Sequence, residues 1–170
     1  LDDERINIIP LEPAPKINAN KIKKNQLKNN LRKFHIEDEF IFYPAQFWAH
    51  KNHKYLIDVT NYLKEQEKRF KFIFCGADKG NLKYISENIS SSGLDDYFKI
   101  FDFLSEDEVI YLYENVNAIV MPTFVARSTL PLYEAFYFKK NIFYSKGILD
   151  ESLEELVCPF DLKNPQDLSK

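Results

Sequence analysis

The chain has four glycines, two cysteines, one tryptophan and one methionine in 170 residues, and each scarcity closes off a class of protein. With Gly76, Gly80, Gly93 and Gly147 as the full set, neither the G-x-G-x-x-G turn of dinucleotide-binding domains nor the P-loop G-x-x-x-x-G-K-[ST] can be written. Any phosphate site here must use side chains and a helix start, not a glycine cradle. Cys75 and Cys158 stand in apolar surroundings without metal-ligand spacing and read as buried free thiols of a reducing compartment. His35, His50 and His53 add no zinc template to them. No apolar run reaches the ~20 residues of a membrane span, and no signal-peptide pattern opens the chain. A net charge of −3 supplies no global attraction to nucleic acid or anionic lipid. The only methionine is Met121, so Leu1 is not a translation start and the chain reads as part of a longer protein.

What is present is an alternation. Short, almost continuously apolar runs at 40–45 (FIFYPA), 70–76 (FKFIFCG), 118–123 (AIVMPT) and 141–145 (NIFYS) have the pattern of strands covered on both faces. The run 97–103 (YFKIFDF) alternates and suits a strand nearer an edge, and 6–10 (INIIP) is a further candidate. Helical spacing separates them: Tyr55, Leu56, Val59, Tyr62 and Leu63 in 52–67, and Leu82, Ile85 and Ile89 in 79–91, which Gly93 stops. Ser105 and Glu108 form a capping box ahead of EDEVIYLYENV, and a last helix starts at Leu130. Strand–helix alternation with connections too long for hairpins predicts an α/β fold, a Rossmann-like parallel sheet with helices on both faces. Residues 1–39 read as an initial strand and linker with a surface helix carrying Leu27, Leu31 and Phe34. Residues 40–170 read as one domain.

In such sheets ligands bind beyond the carboxyl ends of the strands. The predicted rim carries Gln46, Trp48, His50, Lys51 and His53 after the first core run, then Gly76, Asp78 and Lys79 after the second. Thr123, Arg127, Ser128 and Thr129 follow the fourth. A helix start at Thr129 and Leu130, with Pro131 in its first turn, gathers free N–H groups and the positive end of a helix dipole. Lys51 adds a full positive charge, so a phosphorylated or nucleotide ligand is expected. Each residue also has a plainer role: Thr129 as a cap, Arg127 and Glu134 as solvated side chains, Trp48 as packing, and both rim histidines as surface or capping groups.

The blocks FIFYPAQFWAHKNHKYLID, FIFCGADKGN, FLSEDEVIYLYENVNAIVMPT and LPLYEAF, in this order and spacing, resemble the C-terminal domain of the family-4, or group 1, retaining glycosyltransferases of GT-B fold. The resemblance implies one half of such an enzyme, with Lys51 contacting the donor diphosphate. It implies that Glu134, the second acid of an E-x7-E motif, hydrogen-bonds the ribose, and that backbone at Thr129 and Leu130 meets the diphosphate. The loop after Gly76, including Asp78, and the stretch ending at Leu104 would frame the base. The first acid of that motif falls at Ala126 and the family's usual arginine at Gln46. Arg127 is the candidate to supply the missing charge, and Ser128 and Thr129 stand where one family branch has a Thr-Asn pair.

The function implied is transfer of a hexosyl group, with retention, from a UDP- or GDP-sugar to a glycan or lipid-linked acceptor in bacterial surface polysaccharide assembly. No metal cofactor is expected. The partners implied are the donor, the acceptor and an N-terminal domain of the same protein, with no nucleic acid. The location implied is the cytoplasm, with peripheral association at the inner face of the membrane. Two other readings stay open: a non-catalytic nucleotide-binding or regulatory α/β module, and a degenerate glycosyltransferase, to which Ala126 and Gln46 lend themselves.

Overall fold

The computed structural model describes residues 39–68, 70–125 and 130–169. The strand expected at 6–10, the surface helix expected before residue 39, and Arg127, Ser128 and Thr129 lie outside the described residues. Six strands form one sheet: β1 (Phe40–Pro44), β2 (Lys71–Cys75), β3 (Phe98–Phe101), β4 (Ala118–Met121), β5 (Asn141–Ser145) and β6 (Cys158–Phe160). Their order is β3-β2-β1-β4-β5-β6 and every neighbouring pair is parallel. This is the doubly wound order, in which the chain works outward in one direction from β1 and then in the other from β4. The alternating run forms β3, which is an edge strand as its pattern predicts.

The central strands are apolar on both faces because helices cover both. Phe42 lies opposite Ile73 on one side and Ile119 on the other, and all three are fully buried. Burying such a side chain contributes roughly 1.5–3 kcal/mol. Helix α1 (His53–Glu65) turns Tyr55, Leu56, Val59 and Leu63 to the sheet and packs beside α2 (Leu82–Ser91) and the 3-10 turn Pro165–Ser169. Helices α3 (Glu106–Asn115) and α4 (Leu130–Tyr137) meet each other through Tyr113 and Glu134. A short α5 (Glu151–Glu154) leads into β6.

The turn chemistry follows the local sequence. Gly93 ends α2 at φ +61°, its amide bonded to Ser90 and the next amide, of Leu94, to Ile89. That paired geometry satisfies two free carbonyls and favours a residue without a Cβ. At the start of α3 the Ser105 hydroxyl accepts from the Glu108 amide at 3.4 Å, and the Glu108 carboxylate accepts from the Ser105 amide at 2.7 Å.

Two expectations need correction. Strand β6 was not foreseen: it is three residues long, contains Pro159, and its first two residues are exposed, so no apolar run marks it. Cys158, expected to be buried, is exposed on that edge strand, while Cys75 is half-buried; both are free thiols. An outer strand covers only part of its length, so an apolar sequence context there does not guarantee burial.

Replacing Ser105 with Ala removes one half of the capping box while leaving the core untouched. Stability should fall by about 1 kcal/mol, read as a lower urea midpoint at unchanged slope; an unchanged midpoint would show that the carboxylate alone holds the helix start.

Candidate functional site

β1 and β4 are neighbours, yet the chain leaving β1 enters α1 and the chain leaving β4 enters α4. Beyond their carboxyl ends lies the crevice that a doubly wound sheet offers to ligands. The loop after β1 forms a 3-10 turn, Ala49–Lys51, followed by Asn52 in the left-handed region at φ 53°, which Asn tolerates better than most residues. Several hydrogen bonds fix this loop. The buried Tyr43 hydroxyl donates to the Lys51 carbonyl at 2.7 Å, the Phe124 amide donates to the His50 carbonyl at 2.9 Å, and the Lys51 amide donates to the Trp48 carbonyl at 3.0 Å. Thr123, buried at the end of β4, places its hydroxyl 3.1 Å from the His50 carbonyl and 2.7 Å from that of Val125. The loops after β1 and β4 are therefore tied together by backbone.

Lys51 is half-buried, and burial lowers the pKa of its ammonium. It lines one small cavity with Tyr43, Met121, Thr123, Tyr144 and Pro131, the last in the first turn of α4. No salt bridge to Lys51 occurs among the described residues. Lys51 and Pro131 thus border the same cavity of about 10 Å³, and Leu130, half-buried, begins the helix. Glu134 follows one turn later and is not a solvated side chain: it is half-buried and accepts from the Tyr113 hydroxyl at 2.7 Å. Burial raises the Glu134 pKa, and the hydrogen bond from Tyr113 works against that rise.

The remaining rim residues have structural partners of their own. Gly76 is pressed against the preceding loop: a Cβ there would stand 2.5 Å from the Ala45 carbonyl oxygen and 2.6 Å from the Gln46 nitrogen. Its amide bonds to Phe101 and the adjoining Phe47 amide to Ala77, which closes the loops after β1, β2 and β3 together. Asp78 is fully exposed, and its Oδ1 accepts from the amides of Gly80, Asn81 and Leu82, so it holds the start of α2; those bonds, the one from Leu82 first, lower its pKa. Gln46 is exposed, and its Oε1 accepts from the Trp48 indole at 3.0 Å, while Lys79 sits 5.9 Å from that ring's centroid. Leu104 is buried in the core. Phe103 beside it is 83% exposed, and Phe124 and Val125 are exposed on the same rim.

His53 departs most from expectation. It is fully buried rather than a surface or capping group, stacked 4.4 Å from Phe47 with Tyr43 at 4.7 Å and Phe74 at 5.0 Å. Neither ring nitrogen reaches a hydrogen-bond partner of good geometry, although Ala45's backbone lies near enough to act on the ring. Burial, opposed by Ala45 and reinforced by the charge of Lys51, pulls its pKa down to about 3. His50 is half-buried and stacks on Trp48. Sequence reasoning missed the two tyrosines that support the site, Tyr43 and Tyr113. Both sit in apolar runs where they look like packing, and the one available signal is that a buried phenol needs a hydrogen-bond partner. No group of three or more His, Cys, Asp or Glu able to hold a metal occurs among the described residues.

Comparison with known proteins agrees with this architecture. The family described as glycosyl transferases group 1 matches residues 23–161. No curated protein sequence matches. A glycosyltransferase of Rickettsia africae superposes with a TM-score of 0.80 at 18% identity, covering 99% of this chain and 46% of that one. WaaG, a glycosyltransferase involved in lipopolysaccharide biosynthesis, gives 0.72 at 13% identity, covering 94% and 43%. Anabaena HepE, solved with UDP and glucose, gives 0.71 at 16% identity, covering 91% and 43%. At these identities the likeness establishes the fold, and the chain spans less than half the length of these three proteins.

The pKa of His53 makes a pH prediction. Its ordinary value of 6.5 in the unfolded chain falls to about 3 on folding, so between those values the unfolded state binds the extra proton. The native state's advantage is complete above about pH 6.5 and declines as pH drops toward about 3, by up to ~1.4 kcal/mol per unit. His53→Phe, which keeps the stacked ring, should flatten that acid slope in urea titrations run from about pH 7 to about pH 4; parallel slopes for parent and variant would place the titrating group elsewhere.

Proposed function

Because this chain belongs to the group 1 glycosyltransferases, we propose that it forms the donor-binding half of a retaining hexosyltransferase, which seats a nucleotide-diphosphate sugar. The observation that carries this reading is Lys51, a half-buried ammonium without an acidic partner among the described residues, facing one cavity with the first turn of α4. A cation held partly out of water with no counter-charge is stabilised by a bound anion. The helix start opposite it favours the same ligand, because its leading N–H groups have no intrahelical acceptors.

In the transfer, the bond between the anomeric carbon and the diphosphate oxygen breaks while the acceptor oxygen bonds to the same face of that carbon. The acceptor's proton passes to the departing phosphate. Negative charge grows on the diphosphate, and Lys51 with the first amides of α4 stabilises it more in the transition state than in the ground state. Arg127 supplies a second cation in place of the one Gln46 lacks, and Ser128, Thr129 and Leu130 meet the diphosphate. Glu134 accepts from the ribose hydroxyls, and the loops bearing Gly76, Asp78 and Leu104 frame the base. With fixed cations in this role, the mechanism assigns no metal.

Support for the donor class comes from HepE, solved with UDP and glucose, and support for the pathway from WaaG, involved in lipopolysaccharide biosynthesis. By that analogy the acceptor is a glycan or lipid-linked sugar of a bacterial surface polysaccharide. An N-terminal domain outside this chain holds most of the acceptor, since these relatives are more than twice its length. The full protein would work in the cytoplasm, at the inner face of the membrane. No helix among the described residues is long and apolar enough to cross a membrane, so the reading invokes peripheral association.

Lys51→Ala in a protein containing this chain should lower sugar transfer by roughly 10²-fold or more, as for loss of one fixed stabiliser of developing charge. Turnover within a few-fold of the parent would remove Lys51 from the mechanism. In calorimetry, the parent should release heat with UDP or GDP; a chain that binds neither favours a non-catalytic module.

A further inference from the structure

The carboxylate of Glu134 is held by a residue on a different helix. Tyr113 belongs to α3, which crosses from β3 back to β4, while Glu134 is on α4, which follows β4. Tyr113 is fully buried, its ring stacked on Phe138 at 5.2 Å and set edge-on to Phe42 at 5.3 Å. A ring clamped on two sides has no rotamer to choose, so its hydroxyl is delivered to one point in space. At that point lies Glu134 Oε2, 2.7 Å away. We propose that Tyr113 is a positioning residue for nucleotide binding: it fixes the Glu134 carboxylate through Oε2 and leaves Oε1 to accept from the sugar hydroxyls of the bound nucleoside diphosphate. This rests on the assignment of Glu134 to the donor site.

Protonation follows the same geometry. Burial first, and then the charge of Glu134, raises the Tyr113 pKa well above its ordinary range, so the phenol stays a donor at every working pH. Burial also pushes Glu134 toward its neutral form, which would accept fewer hydrogen bonds from a ligand, and the Tyr113 hydroxyl opposes that. The other titratable group acting on Tyr113 is Cys75 on β2, whose thiol is pushed up to about 11, mainly by burial, and is therefore neutral. Among the described residues Tyr113 is the one group, beyond burial, that acts on Glu134.

The test is a double-mutant cycle read by calorimetry on the full chain, with UDP and GDP as probes. Tyr113→Phe keeps the clamped ring and should weaken binding roughly 10–100-fold, the range for losing a hydrogen bond to a charged group. The acid side of its affinity profile should move to higher pH, because Glu134 loses the donor that keeps it ionised. In a Glu134→Ala background the same substitution should change nothing further. An equal loss in both backgrounds, with the pH profile unmoved, means that Tyr113 only packs and overturns the proposal. Glu134→Gln gives a second reading: the nucleotide's own ionisation is common to all variants, so the difference from the parent profile isolates Glu134, and superimposable profiles also overturn it. Should the parent bind neither nucleotide, the donor-site assignment falls first and the proposal with it.

Discussion

Strands β1 and β4 run side by side and then send their chains apart, and that divergence is the constraint on which the rest of the molecule depends. Parallel strands need long crossovers, and right-handed crossovers leaving in opposite directions must lie on opposite faces of the sheet. Among the described residues, the loops that follow the two strands close the gap between them. Here they close it with the Phe124 amide and the Thr123 hydroxyl on the His50 carbonyl, while a buried phenol of β1 holds the Lys51 carbonyl. The lysine side chain is therefore carried by a loop tied to the neighbouring strand end, and the start of α4 follows a few residues after that tie.

A second regularity concerns buried polar groups. Tyr43 and Tyr113 are both in the core, and each hydroxyl leaves it through one hydrogen bond, to the Lys51 loop and to Glu134 respectively. A buried phenol without a partner costs about 1–3 kcal/mol, so stability and site geometry are served by the same contacts. His53 is the exception. It sits among Phe47, Tyr43 and Phe74 as though it were another aromatic ring, with neither nitrogen in a well-formed hydrogen bond. Its neutrality lets the core accept it, and it adds no second positive charge beside Lys51.

The fold was legible because its signals are periodic and long. Five strands and four helices follow from apolar runs, helical spacing, Gly93 and the capping box at Ser105. Strand β6 was not legible, since three residues with a proline and two exposed positions carry no pattern. At the site, the residue types along the rim could be read. Partnership was hidden. Nothing in the sequence says that Gly76 is a glycine because the Ala45 carbonyl presses on it, or that Tyr113 in YLYENV reaches across to another helix. These are long-range contacts, set by how the elements pack, and local pattern does not encode them.

The outermost strand, which the sequence concealed, has its own consequence. β6 is short, and Pro159 brings no amide hydrogen to it. A visiting chain that tried to zip onto this border would find one or two rungs and then a gap. Along this border, adjacent molecules in a crowded solution are offered little template to extend.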